Sequence, residues 1–139
     1  MVYKLKMKTR TKLINWILFL IFLLFALVQL NDPDPVIWFV TYFIVALFAV
    51  LSNFIRIPKL YFYLAVAGLV IFALFHMDYF MKWITTGNKG ELFGEMVYEK
   101  PHIEGTREFL GLVLALMAIL YLLKQQLSHD HLKNADRLS

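Results

Sequence analysis

The residues best suited to chemistry in this 139-residue chain fall in three short stretches. They are Gln29-Leu30-Asn31-Asp32-Pro33-Asp34-Pro35, then His76-Met77-Asp78, then His102-Ile103-Glu104-Gly105-Thr106-Arg107-Glu108. Each proline biases the residue before it toward extended backbone, so neither Asp32 nor Asp34 is expected to be helical. Asp34 followed by Pro35 reads as a helix N-cap and first helical residue. Its carboxylate would accept free amide hydrogens and meet the positive end of the helix. Asp32 has no such duty. Two aspartates and two prolines without N–H groups crowd acceptors together, and a basic or metallic partner is needed to balance them.

Candidates for that balance lie in the other two stretches. Histidine and carboxylates bind Zn²⁺ or Mn²⁺ and serve as acids and bases. The candidate site is therefore Asn31, Asp32, Asp34, His76, Glu104, Arg107 and Glu108, with Asp32, His76 and Glu108 as the candidate metal ligands. Glu104 and Glu108 share one face of a helix, and Gly111 continues it as a small residue that admits a close neighbour. Arg107 would pair with Asp32 or Glu108, and His76 with a carboxylate. The same residues could equally form a structural ion-pair network that locks helices together. Charge of this kind is costly in hydrocarbon, roughly 2.5–3.5 kcal/mol on insertion scales, so pairing is expected in either case. Met77, Met81 and Met96, near His76 and His102, raise a soft copper site; methionine as gap-filling core is the commoner use. No cysteine is present, which removes thiol nucleophiles, Cys-ligated zinc, iron–sulfur clusters and disulfides. No His-Glu-x-x-His, Gly-x-Ser-x-Gly or Ser-x-x-Lys pattern occurs. The sequence thus identifies no catalytic residue and no cofactor.

The elements that must position these residues are membrane spans. Hydrophobic residues make up 60% of the chain and charged residues 17%, with a mean hydropathy of +0.65. A soluble domain this small has too little interior to hide so much apolar surface. Four apolar runs are visible: 13–30, 36–55, 60–77 and 109–123. A span needs roughly 20 residues at about 1.5 Å each to cross about 30 Å of hydrocarbon. The first three runs meet that need. The fourth covers only about 22 Å and must recruit polar flanks, giving a span of about 106–124. The basic start of the chain fits a signal peptide, but the first apolar run exceeds a 7–15-residue signal core and no small-x-small site follows it, so it reads as an uncleaved span. The expectation is one transmembrane domain over 1–139, an all-α four-helix bundle with an outer loop over 78–105 and a cytoplasmic tail over 125–139, a helical extension that frays into a polar end. Within that loop, Tyr79 to Ile84 should form a short interfacial piece, and Gly87-Asn88-Lys89-Gly90 and Lys100-Pro101 mark breaks. Trp16, Trp38, Tyr61, Tyr63, Tyr79, Trp83 and Tyr121 read as an interfacial aromatic belt.

Charge sets the expected orientation. The two termini and the 56–59 connection carry ten basic and two acidic residues; the other segments carry four basic and eight acidic. The positive-inside rule then puts both termini in the cytoplasm, with a bacterial cytoplasmic (inner) membrane as the expected home. It also accounts for the basic excess without nucleic acid, with anionic headgroups adding to it.

Two of these stretches carry a family resemblance. Gln29-Leu30-Asn31-Asp32-Pro33-Asp34-Pro35 followed by Trp38, and Arg107-Glu108-Phe109-Leu110-Gly111-Leu112, resemble the transmembrane protein 220 family, small four-helix membrane proteins of bacteria and animals. The resemblance covers nearly the whole span layout. It implies a fold and a membrane location, and brings no activity or cofactor.

Three functions compete. The first is a non-catalytic binding or assembly bundle whose outer cluster docks a membrane protein partner or lipid headgroup. The second is an intramembrane metal-dependent enzyme acting on a lipid-linked substrate. A transporter is the weakest, since there are no repeat halves and almost no polar lining at mid-span. The bundle is the expected reading.

Overall fold

The computed structural model describes residues 7–85, Gly90 and residues 101–139, with the side chains of Pro101 and His102 set aside. The fold class is all-α. Among the described residues four α-helices follow in order, α1 (Thr9–Val28), α2 (Pro35–Leu51), α3 (Lys59–Thr85) and α4 (Pro101–Leu138), with a 3₁₀ turn at Gln29–Asn31. Three of them are long and apolar enough to cross a membrane by length and composition: α1 with its 3₁₀ extension, α3, and α4 from Ile103 onward.

The short helix is α2, not the last one. At 17 residues it covers about 26 Å. It stops at Leu51, where the expected run continued to Ile55, because the next residues have other partners. Ser52 donates its hydroxyl to the Phe48 carbonyl, and Asn53 and Phe54 tighten to i−3 carbonyls. Thr41, the polar residue inside α2, satisfies its own hydroxyl on the Ile37 carbonyl. Helix α4, by contrast, runs 38 residues, far more than its 15-residue apolar core suggested. The helical extension expected over 125–139 is present and stays helical to Leu138. The expected loop 78–105 is narrower, because α3 continues through Asp78 to Thr85 and α4 begins at Pro101. Met96 and most of the Gly87–Gly90 turn lie outside the described residues.

The chain divides into two compact units. Unit one holds residues 1–63 and 118–139, so it contains α1, α2, the connections around them, the start of α3 and the second half of α4. Its core is an antiparallel α1–α2 pair. Ala26, Ala46 and Ala49 are fully buried and let the helices approach closely. Tyr42 anchors the pair among Phe22, Phe25 and Trp38. Trp38 is therefore core and not belt, at 4% exposure, whereas Trp16, Tyr61, Tyr63 and Tyr121 are exposed. Ile119 and Leu122 of α4 are buried in the same unit, and Phe62 meets Phe48 edge to face.

Unit two holds residues 64–117, the rest of α3 and the first half of α4. Tyr79 is the centre of their contact. Thr106, fully buried, donates its hydroxyl to the Tyr79 carbonyl at 3.0 Å. Gly105 lies against the Tyr79 side chain, so close that a Cβ there would overlap it. Phe80 stacks on Phe109 with ring centroids 4.7 Å apart.

Candidate functional site

The residues singled out in the sequence divide between the two units. Asn31, Asp32 and Asp34 belong to unit one; His76, Glu104, Arg107 and Glu108 belong to unit two.

In the connector between α1 and α2, Asn31 closes the 3₁₀ turn. The amide of Asp32 donates to the Gln29 carbonyl at 3.0 Å, and Asp32 itself is extended (φ −85°, ψ 161°), as its proline neighbour requires. Asp34 occupies the N-cap position of α2 with Pro35 as the first helical residue, yet its side chain makes no capping hydrogen bond. The expected capping carboxylate thus supplies position without the bond. Its φ of −115° and ψ of 60° lie outside the extended region typical of an N-cap.

In unit two, α3 and α4 bring His76 and Glu108 together. His76 Nε2 lies 3.2 Å from Glu108 Oε2, with both side chains largely buried. The other ring nitrogen, Nδ1, is 2.9 Å from the Phe72 carbonyl. A carbonyl only accepts, so Nδ1 carries hydrogen. The Phe72 and Tyr79 rings lie near the imidazole, with centroids 5.0 and 6.2 Å from it. Glu104 and Arg107 are half-buried on the same turns of α4. Among the described residues no group of three or more His, Asp or Glu is arranged to hold a metal ion. Met77 and Met81, raised for copper, are exposed.

A second polar centre, in unit one, was not singled out from the sequence. Asn15 of α1 is fully buried. Its amide donates to Asn53 Oδ1 at 3.0 Å and to Gln125 Oε1 at 3.1 Å, and its own oxygen accepts from Gln125 Nε2 at 2.8 Å. Asn53 then donates to the Lys12 carbonyl. The next residue of α4, Gln126, forms a reciprocal pair with the backbone of Ile57: the Ile57 amide donates to Gln126 Oε1 at 3.1 Å, and Gln126 Nε2 donates to the Ile57 carbonyl. The side-chain amide thus replaces the hydrogen bonds that the extended segment after α2 would otherwise lack. Next along α4, Asp130 takes Arg56 at 2.6 Å and Lys59 at 3.5 Å. Asn15 and Asn53 were visible as polar breaks in apolar runs. Gln125 and Gln126 had no such signal, because they follow Lys124 in a stretch that reads as polar tail.

A family model described as "Transmembrane family 220, helix" matches residues 21–124. No curated protein and no solved structure matches the chain.

Proposed function

This chain belongs to transmembrane family 220, and for it we propose a non-catalytic role: a binding or assembly bundle in the membrane, in contact with the lipid bilayer, that docks a membrane protein partner or a lipid headgroup at its outer polar cluster. The observation that carries this reading is the amide clamp. The side chains of Asn15 in α1, Asn53 after α2, and Gln125 and Gln126 in α4 join α1, the 52–57 connection and α4. Thr41, Ser52 and Thr106 likewise spend their hydroxyls on backbone carbonyls. In lipid, such bonds replace a missing hydrophobic drive between helices. With both termini cytoplasmic, as the charge distribution supports, Asn31, Asp32, Asp34, His76, Glu104, Arg107 and Glu108 would face outward. Family membership supports a membrane protein and does not extend to the narrower expectation of a bacterial inner membrane.

The His76–Glu108 pair favours a second reading, an intramembrane metal-dependent enzyme on a lipid-linked substrate. One experiment separates the two. Wild type and His76→Ala are purified in detergent, and metal content and thermal unfolding are measured. In the assembly reading, His76→Ala lowers stability by about 1–3 kcal/mol through the loss of the imidazole–carboxylate contact and leaves metal content unchanged. Stoichiometric zinc, manganese or copper in the wild type, lost in His76→Ala, would establish the enzyme reading instead.

A further inference from the structure

Beside the amide clamp, unit one carries an apolar groove of about 360 Å³. Ile44, Leu47, Phe48 and Leu51 of α2 form one wall, and Ile57 and Tyr61 close the other. No polar surface lines it. Arg56 stands between two lining positions, Ile55 and Ile57, and Lys59 follows a third, Pro58. Both cations lean on a single carboxylate, Asp130. Two positive charges thus meet one negative charge next to the groove's lining residues. The side chains of Arg56 and Lys59 stay 37% and 44% exposed, open to approach by another anion. Asp130 is mostly covered, at 13%.

We infer that this groove is a binding site for one anionic phospholipid, an acyl chain lying along α2 and the headgroup phosphate held by Arg56 and Lys59. The acyl chain alone cannot select a lipid, because every bilayer lipid offers the same hydrocarbon and gains nothing by moving into a groove. Selection must come from the headgroup, and the uncompensated positive charge makes it anionic. Asp130 is the positioning residue: it holds both cations at the groove's end and keeps their net charge at one. This site is independent of His76 and Glu108, so it stands or falls apart from the choice between assembly and catalysis.

The test uses the full chain in neutral detergent, with native mass spectrometry counting adducts of phosphatidylglycerol and phosphatidylcholine of matched chains. A basic residue near a membrane surface favours an anionic lipid roughly fivefold. The wild type should bind one phosphatidylglycerol with about a fivefold preference. Arg56→Gln with Lys59→Gln should abolish that preference, and Asp130→Asn should raise it several-fold. Leu47→Trp, which fills the groove, should weaken both lipids together. Lys8→Gln with Arg10→Gln, at exposed positions off the groove, should leave the preference intact. Equal binding of the two lipids by the wild type would overturn the site. So would a preference that follows Lys8 and Arg10, or a second copy of the chain occupying the groove in place of lipid.

Discussion

At the scale of single residues, Asn15 is the side chain on which unit one depends most. Its carboxamide makes three hydrogen bonds with full burial, and Gln125 returns one of them. Removing it leaves Asn53 and Gln125 with unmet donors and acceptors in an apolar setting. Asn15→Ala should cost about 1–2 kcal/mol, read as a shift in detergent-induced unfolding. Gln125→Ala should cost a similar amount. The double variant should lose less than the sum, because the second truncation removes a group already orphaned. Strict additivity in that cycle would show that the pair is not a unit. Asn15→Leu is the informative companion: it restores volume but not the bonds, so it should stay destabilised. His76 gives a contrasting case. Its Nδ1 is committed to the Phe72 carbonyl and its Nε2 to Glu108, which holds the ring in one orientation.

Between elements, the α3–α4 contact of unit two turns on one missing Cβ. Gly105 faces Tyr79, and an added methyl group would sit 2.8 Å from the Tyr79 Cβ, which cannot swing aside as a flexible chain end could. Gly105→Ala should therefore destabilise by about 1–3 kcal/mol despite the better helix propensity of alanine. Thr106→Val keeps shape but removes the hydroxyl that bonds the Tyr79 carbonyl, and should cost about 1 kcal/mol. A calorimetric scan of both variants in detergent checks the order. Gly105→Ala behaving as wild type would mean that the helices separate freely at Tyr79. In unit one, the early end of α2 has an equally local origin. Ser52 bonds back to Phe48 while Asn53 is drawn to Lys12 and Asn15, so the chain leaves the helix there.

At the scale of the whole molecule, the asymmetry of charge makes topology the sharpest prediction. The wild type has no cysteine, so single cysteines report without background. Asn88→Cys should react with an impermeant maleimide on intact cells, and Asn134→Cys, exposed near the end of α4, only after permeabilisation. The reverse pattern would invert the orientation. The all-α class, the membrane location and the positions of the helices were legible in the sequence, because they follow from long apolar runs, proline punctuation and the cost of leaving backbone polar groups unpaired in lipid. So was the pairing of His76 with a carboxylate, since a charge beside the membrane must find a partner. Three features were decided only by tertiary structure. The buried Trp38 shares its composition with a belt tryptophan, and only packing against Tyr42 distinguishes them. The expected fraying of α4 beyond its apolar core does not occur before Leu138, and along this stretch Gln126 bonds the Ile57 backbone and Asp130 pairs with Arg56 in unit one. The amide clamp joins residues 110 positions apart in the chain. Local pattern carries no information about such a pair, because an amide side chain shows its function only when the fold removes water and supplies the complementary amide.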